Sequence, residues 1–186
     1  MYNFIFVLVK FYTMAKKKTV KYKAGKSSNN VEENAAIYVI KKNSNGMKSF
    51  SSILSFNHKP ESQMTNFEKM AAVEDGISKE ELQKLKEKTS MDYDKLAKAL
   101  SVTRATLINK KKQEKFNAGL SERIFSLADI YSYGYEVFED VSRFNTWMFR
   151  PNQALGGKTP FELIGSPFGR DEVKNIIGRI EYGVYS

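Results

Sequence analysis

The chain has 186 residues, room for one ordinary domain or two small ones, and its 41% hydrophobic and 13% aromatic content is enough to bury a core. It has no cysteine, which excludes a disulfide framework, a thiolate zinc site and a cysteine nucleophile, and fits a reducing cytosol. The net charge of +9 is uneven: residues 121–186 hold seven Lys/Arg against nine Asp/Glu, so residues 1–120 carry +11, which points to a polyanion partner at one end and a different partner at the other.

Phe4-Ile5-Phe6-Val7-Leu8-Val9 is an apolar run, far short of the ~20 residues that a membrane span needs. Lys10, the first charge, follows the run, whereas a signal peptide places its charge before the apolar core. Met14-Ala15-Lys16-Lys17-Lys18 reads like a natural cytosolic start. Residues 1–13 are therefore expected to be a start-site extension without a role, the rival being a membrane anchor. Residues 14–34 are rich in Lys, Ser and Asn and lack a core-forming period, the composition of a disordered basic arm. Residues 35–41 fit a short strand or a helical turn, and Ser44-Asn45-Gly46 punctuates them. Phe50, Ile53, Leu54 and Phe56 then space like one face of a short helix.

From residue 65 the helix signals are clean. Thr65-Asn66-Phe67-Glu68 is a capping-box pattern, and Gly76 is placed to end that helix. Ser78-Lys79-Glu80-Glu81 is a second box, with Ile77 and Leu82 as its hydrophobic staple. Asp92 caps a helix over about 93–100, Ser101-Val102 turns, and Thr103 caps a helix that is expected to run to about 113 before Gly119 breaks it. This pattern reads as a DNA-binding helix-turn-helix: Ala97 at the crossing, Leu100 and Val102 as core pegs, Leu107 facing inward. Thr103, Arg104, Thr106 and Asn109 would face bases or phosphates, and Lys110, Lys111 and Lys112 would face the phosphate backbone, where each neutralised charge releases counterions. Ser101 stands where such a turn favours Gly, because the backbone there goes left-handed.

Ile124, Leu127, Ala128, Tyr131, Tyr135 and Phe138 fall at helical steps of three and four over 121–138, and Phe144, Trp147 and Met148 continue the pattern on a following helix. Thr159-Pro160-Phe161-Glu162 combines an N-cap, Pro at the first helical position and Glu at the third, with Gly165 ending that short helix. Leu155-Gly156-Gly157 is a turn that needs Gly to bend and to pack closely. Val173, Ile176, Ile177 and Ile180 form the apolar face of the last helix, whose first turn would hold Asp171 and Glu172. The terminus, Ile180-Glu181-Tyr182-Gly183-Val184-Tyr185-Ser186, is aromatic where chain ends are usually polar, the composition of a docking peptide.

The ordered tokens Ser121-Glu122-Arg123, Trp147-Met148, Leu155-Gly156-Gly157-Lys158-Thr159-Pro160-Phe161-Glu162-Leu163 and Gly178-Arg179-Ile180-Glu181-Tyr182-Gly183-Val184-Tyr185 resemble the C-terminal domain of the Xre/MbcA/ParS antitoxins. With the helix-turn-helix-like segment, the resemblance covers about residues 65 to 186. It implies a partner, a RES-domain toxin that destroys cellular NAD, and a role for the C-terminus in blocking the toxin's NAD-binding cleft. Carried onto matching positions, it implies toxin-binding roles for Lys158, Arg179, Glu181, Tyr182, Gly183, Val184, Tyr185 and Ser186. The resemblance also implies a homodimer. The alternative is a stand-alone helix-turn-helix regulator with no toxin.

The residues give no reason to expect an enzyme. His58 is the one histidine, beside Lys59-Pro60, and no phosphate-binding glycine loop, metal-spaced cluster or nucleophile elbow is present in the sequence. No metal, cofactor or membrane partner is expected, and the location expected is the cytoplasm. The expected fold is all-α: a helix-turn-helix-like N-terminal bundle, a helical antitoxin C-terminal domain and a disordered basic N-terminal arm. Its divisions would be an extension and arm at 1–34, a poorly defined segment at 35–60, a DNA-binding domain at 61–120 and a toxin-binding domain at 121–186.

Overall fold

Short polar caps set the helices of this chain. The computed structural model describes residues 50–54 and 59–183, and among these residues there are eight α-helices and no strand, in agreement with the all-α reading. They are α1 (Asn66–Asp75), α2 (Lys79–Thr89), α3 (Tyr93–Ala99), α4 (Arg104–Ile108), α5 (Ala118–Phe138), α6 (Val141–Trp147), α7 (Pro160–Leu163) and α8 (Pro167–Glu181). Two 3-10 turns, Glu61–Gln63 and Gln153–Leu155, complete the set. The apolar run at 4–9, the basic arm, residues 35–41, Phe56, His58 and residues 184–186 lie outside the described residues. Among the described residues no helix is long and apolar enough to cross a membrane.

All three capping boxes form: Thr65 with Glu68, Ser78 with Glu81, and Thr159 with Glu162. Each satisfies two backbone N–H groups that a helix start leaves without partners. The staple pair Ile77 and Leu82 is fully buried. Asp92 and Thr103 cap α3 and α4 as the sequence implies.

The 21 residues of α5 make a rod of ~30 Å around which the rest assembles. Against it pack the first 3-10 turn, α1, α2, α6 and α8, while α3 packs on α4 and α7 on α8. Its buried residues, among them Leu120, Ile124, Phe125, Leu127, Ile130, Tyr131 and Tyr135, point in nearly every direction. A helix that is apolar on most of its circumference is a central one. At its C-terminal end Tyr131, Tyr135, Phe138, Phe144 and Trp147 pack mostly edge to face, with centroids 5.2–5.9 Å apart. The α5–α6 crossing passes at Gly134, where an added Cβ would come within 2.1 Å of the Phe144 ring.

Five expectations need correction. Residues 50–54 are not helical; Ile53 and Leu54 are buried core residues on an irregular segment. Its backbone N–H groups at Ile53 and Leu54 and the Ser52 hydroxyl instead donate to the buried Glu61 carboxylate, at 3.0, 2.8 and 2.7 Å. The helix after Thr103 stops at Ile108 rather than near 113. Residues 112–116 are drawn to the start of α2: Lys79 and Glu80 N–H donate to the carbonyls of Glu114 and Lys112, and Phe116 N–H donates to Ile77. The helix-start donors of α2 thereby gain acceptors, and the segment after α4 is tied to α2 on a non-helical course. Gly119 does not break a helix; it lies in the first turn of α5, where the Asn117 cap 2.9 Å from the Leu120 N–H overrides it. Asp171 and Glu172 sit beyond the first turn of α8, which starts at Pro167. Finally, Gly156 and Gly157 are required for φ of +66° and +77° and not for close packing, since a Cβ on either would touch nothing.

Candidate functional site

Two separate clusters carry the candidate residues. The first surrounds the α3–turn–α4 pair. Leu96, Ala97, Leu100 and Leu107 are buried, which fixes the angle of α4. The turn runs through Ser101 at φ +53°, a left-handed value that a serine adopts only under constraint. Two tertiary contacts supply it. Ser101 Oγ donates to the Gly165 carbonyl at 2.9 Å, and the Arg123 guanidinium donates to the carbonyls of Leu100 and Ser101 at 2.9 and 3.3 Å. Arg123 therefore caps the C-terminus of α3 from α5, a charge-assisted use of the orphan carbonyls there.

On the outward side, Thr103, Arg104, Thr106 and Asn109 are exposed on or beside α4. Thr103 and Thr106 hydroxyls bond each other at 2.8 Å, and Arg104 pairs with Asp94 of α3 at 3.1 Å. Lys110, Lys111 and Lys112 lie past the helix end, on the loop toward Lys115. Lys110 is occupied: it pairs with Glu114 at 2.6 Å and lies 5.8 Å from the Phe116 ring centroid. That hydrogen bond, with the Lys111 backbone N–H, holds the Glu114 carboxyl below its usual range. Lys111 and Lys112 have exposed side chains with no ion pair among the described residues.

The second cluster is the C-terminal end of α8. Its position is set from below. Asp129 of α5 is 6% exposed and accepts Lys69 of α1 at 2.7 Å and Lys174 of α8 at 2.6 Å, so one carboxylate bolts both helices to the central rod. Arg170, also buried, reaches Glu122 at 3.6 Å. Val173, Ile176 and Ile177 fill the α5–α8 seam, with Ile180 half-buried. Past that seam the side chains face outward. Glu181 accepts the Tyr133 hydroxyl at 2.6 Å, and burial followed by this bond pushes the Tyr133 phenol up. Arg179 is exposed without an ion pair among the described residues, Tyr182 is 76% exposed, and Gly183 follows at φ +69°. Tyr182 does not fold back onto the helices. Val184, Tyr185 and Ser186 lie outside the described residues.

Lys158 is not part of either cluster by contact. It sits exposed on the Gly156–Gly157 turn, whose shape is held by Gly157 N–H and Asn152 N–H bonds to the Asn152 and Lys158 carbonyls, both 3.0 Å. With Lys98 of α3 it adds to the effect of Thr159, whose backbone N–H and hydroxyl hold the Glu162 carboxyl below its usual range.

The sequence reading missed Asp129 and Arg123. Asp129 had a signal, a lone acid amid Ile124, Phe125, Leu127, Ala128, Ile130 and Tyr131, since a carboxylate on so apolar a helix must find cations. Which cations it finds is a tertiary fact.

The family model that matches the chain is the antitoxin Xre/MbcA/ParS C-terminal toxin-binding domain, over residues 134–183. These residues hold the end of α5, α6, α7 and α8, including Arg179, Glu181, Tyr182 and Gly183. Two curated relatives are each described as "Antitoxin Xre". One, from Photorhabdus laumondii subsp. laumondii, is 36% identical over 73 residues. The other, from Yersinia enterocolitica serotype O:8, is 34% identical over 73 residues. Each alignment covers 39% of this chain and 49% of the relative, so the chain spans about half the length of the curated relatives that it matches. In that part the chain is similar to the Xre/MbcA/ParS antitoxins, as the motifs around Trp147, Leu155–Leu163 and Gly178–Gly183 imply.

Proposed function

We propose that this protein is an antitoxin that binds a RES-domain, NAD-degrading toxin and occludes its active site with the C-terminal segment Arg179–Ser186. The observation that carries the reading is the end of α8. Its buried face stops at Ile177, and Arg179 and the 76% exposed Tyr182 then project outward from a domain that matches a toxin-binding family. Tyr and Arg are the residues that anchor interfaces when a partner desolvates them. In this reading the NAD chemistry belongs to the toxin, and the chain acts as a cytoplasmic homodimer that is not itself an enzyme.

The α3–turn–α4 pair supports a second activity within the same proposal: a helix-turn-helix that binds operator DNA and represses the antitoxin's own operon. Thr103, Arg104, Thr106 and Asn109 on one exposed side, beside Lys111 and Lys112, favour it. A stand-alone regulator would keep this surface and lack a toxin; whether the adjacent reading frame encodes a RES-domain protein separates the two.

The test is a deletion of Tyr182–Ser186. Expressed beside the toxin, the shortened chain should keep its melting temperature, yet cellular NAD should collapse as it does with toxin alone. Full retention of NAD by the shortened chain overturns the occlusion mechanism.

A further inference from the structure

A concavity that the proposed function does not use lies along the outward face of α6. It has a volume of about 460 Å³, and Asp140, Arg143, Trp147 and Arg150 are among its lining residues, with Phe138 and Thr146. Positions 143, 147 and 150 follow steps of four and three, so they share one face of α6 and the turns that extend it. Those turns are held by Phe149 and Arg150 N–H bonds to the carbonyls of Thr146 and Trp147, at 3.2 and 3.1 Å.

The charges in this groove are unbalanced. Arg143 and Arg150 are exposed, and neither makes an ion pair among the described residues. Arg143 lies 5.7 Å from the Phe138 ring centroid, a cation over an aromatic face. By contrast Arg104 and Arg170 pair with carboxylates, and Arg123 caps α3. Asp140 caps α6, its carboxylate accepting the Arg143 backbone N–H at 2.9 Å, and its charge offsets only one of the two arginines, so the lining keeps a net positive charge. Between the two guanidiniums sits Trp147, half-buried, with its inner side against Phe144 and Phe138 at 5.5 and 5.3 Å. Two guanidiniums without ion pairs around a half-exposed tryptophan are the composition of a protein-docking surface, and their sign selects carboxylates. The acid-tilted C-terminal half makes this local excess of positive charge stand out.

We propose that the α6 groove docks an acidic protein segment: glutamates or aspartates on Arg143 and Arg150, and an apolar side chain of the same segment on Trp147. The site is separate from the C-terminal segment and does not depend on the occlusion reading.

Trp147 is the chain's one tryptophan, so its emission reports this groove directly. The full chain would be titrated with a short glutamate-rich peptide carrying a central leucine, with its lysine-for-glutamate counterpart, and with a duplex oligonucleotide. The acidic peptide should shift Trp147 emission saturably, while the lysine peptide and the duplex leave it unchanged. R143Q/R150Q should weaken the acidic peptide by roughly tenfold or more, and R143K/R150K should recover part of that loss. Both pairs sit on exposed positions, and far-UV circular dichroism checks that each variant folds. A chain lacking Tyr182–Ser186 should bind the peptide as the full chain does, so that failure of the occlusion mechanism leaves this result intact. An acidic peptide that fails to move Trp147 overturns the proposal. So does equal binding by R143Q/R150Q, or a duplex that moves Trp147 through the same arginines.

Discussion

The surface around α4 and the surface at the end of α8 treat their charges in opposite ways. Around α4 much of the charge is spent internally. Arg104 pairs with Asp94, Lys110 pairs with Glu114, and Arg123 fastens the turn from beneath. At the end of α8, Arg179 and Tyr182 stand without such partners, while the pairing is concentrated one layer deeper, at Asp129. The difference teaches where an outside partner gains most. A group already paired must give up its partner on binding, so its net contribution falls, even when the exposed pair is worth only ~0–1 kcal/mol. A group held out on a well-bolted helix gives up only water and rotamer freedom, and no protein partner.

The largest effect should come from removing the bolt. Asp129→Ala leaves Lys69 and Lys174 facing a buried carboxylate site with no acid, and breaking a buried pair in this way costs about 3 kcal/mol. Urea unfolding should show the loss as a lower midpoint. Since Asp129 joins α1 and α8 through α5, the transition should stay single. A loss below about 1 kcal/mol would place the triad with ordinary surface pairs.

The contrast between bolt and caps also shows which parts of the fold were legible in the sequence. Thr65, Ser78, Asp92, Thr103 and Thr159 were readable because a cap and its N–H lie three residues apart. The apolar face of α5 was readable for the same reason of short period. Asp129 was not, because its cations come from 60 and 45 residues away. Neither was the end of α4. The sequence from Asn109 to Lys112 carries no breaker, and the helix stops because Lys79 holds the Leu107 carbonyl and the start of α2 takes the carbonyls at 112 and 114. The candidate site divides likewise. Arg179 and Tyr182 are placed by the period of Val173, Ile176 and Ile177, whereas the arginines of the α6 groove become notable only once their missing partners are known.

A finer test asks whether the pairing around α4 matters to DNA. If all three loop lysines met phosphates, replacing them would flatten the salt dependence of operator binding by ~0.9 per lysine. The pairing predicts otherwise. Lys111→Ala with Lys112→Ala should lower the slope by about 2 units, at ~0.9 for each freed contact. Adding Lys110→Ala should change it by less than half a unit more, roughly, because that cation is held by Glu114. Equal contributions from all three would mean that DNA displaces Glu114. Toxin neutralisation should be untouched in every case.

The smallest effect should be at Ser101, where two opposing terms nearly cancel. Its φ of +53° costs a non-glycine residue about 1 kcal/mol, which glycine would relieve. Its hydroxyl bond to the Gly165 carbonyl, at 2.9 Å and exposed, returns about 0.5–1 kcal/mol, which glycine would lose. Ser101→Gly should therefore leave stability within ~0.5 kcal/mol of the starting chain. Ser101→Ala keeps the strain and loses the bond, so it should be less stable than both by about 1 kcal/mol. Thermal melts of the three chains rank them directly. If alanine matches serine, the bond to Gly165 contributes nothing, and the left-handed turn is held by Arg123 alone. If glycine is the more stable by a full 1 kcal/mol or so, the strain outweighs the tie between the α3–α4 turn and the loop before α8.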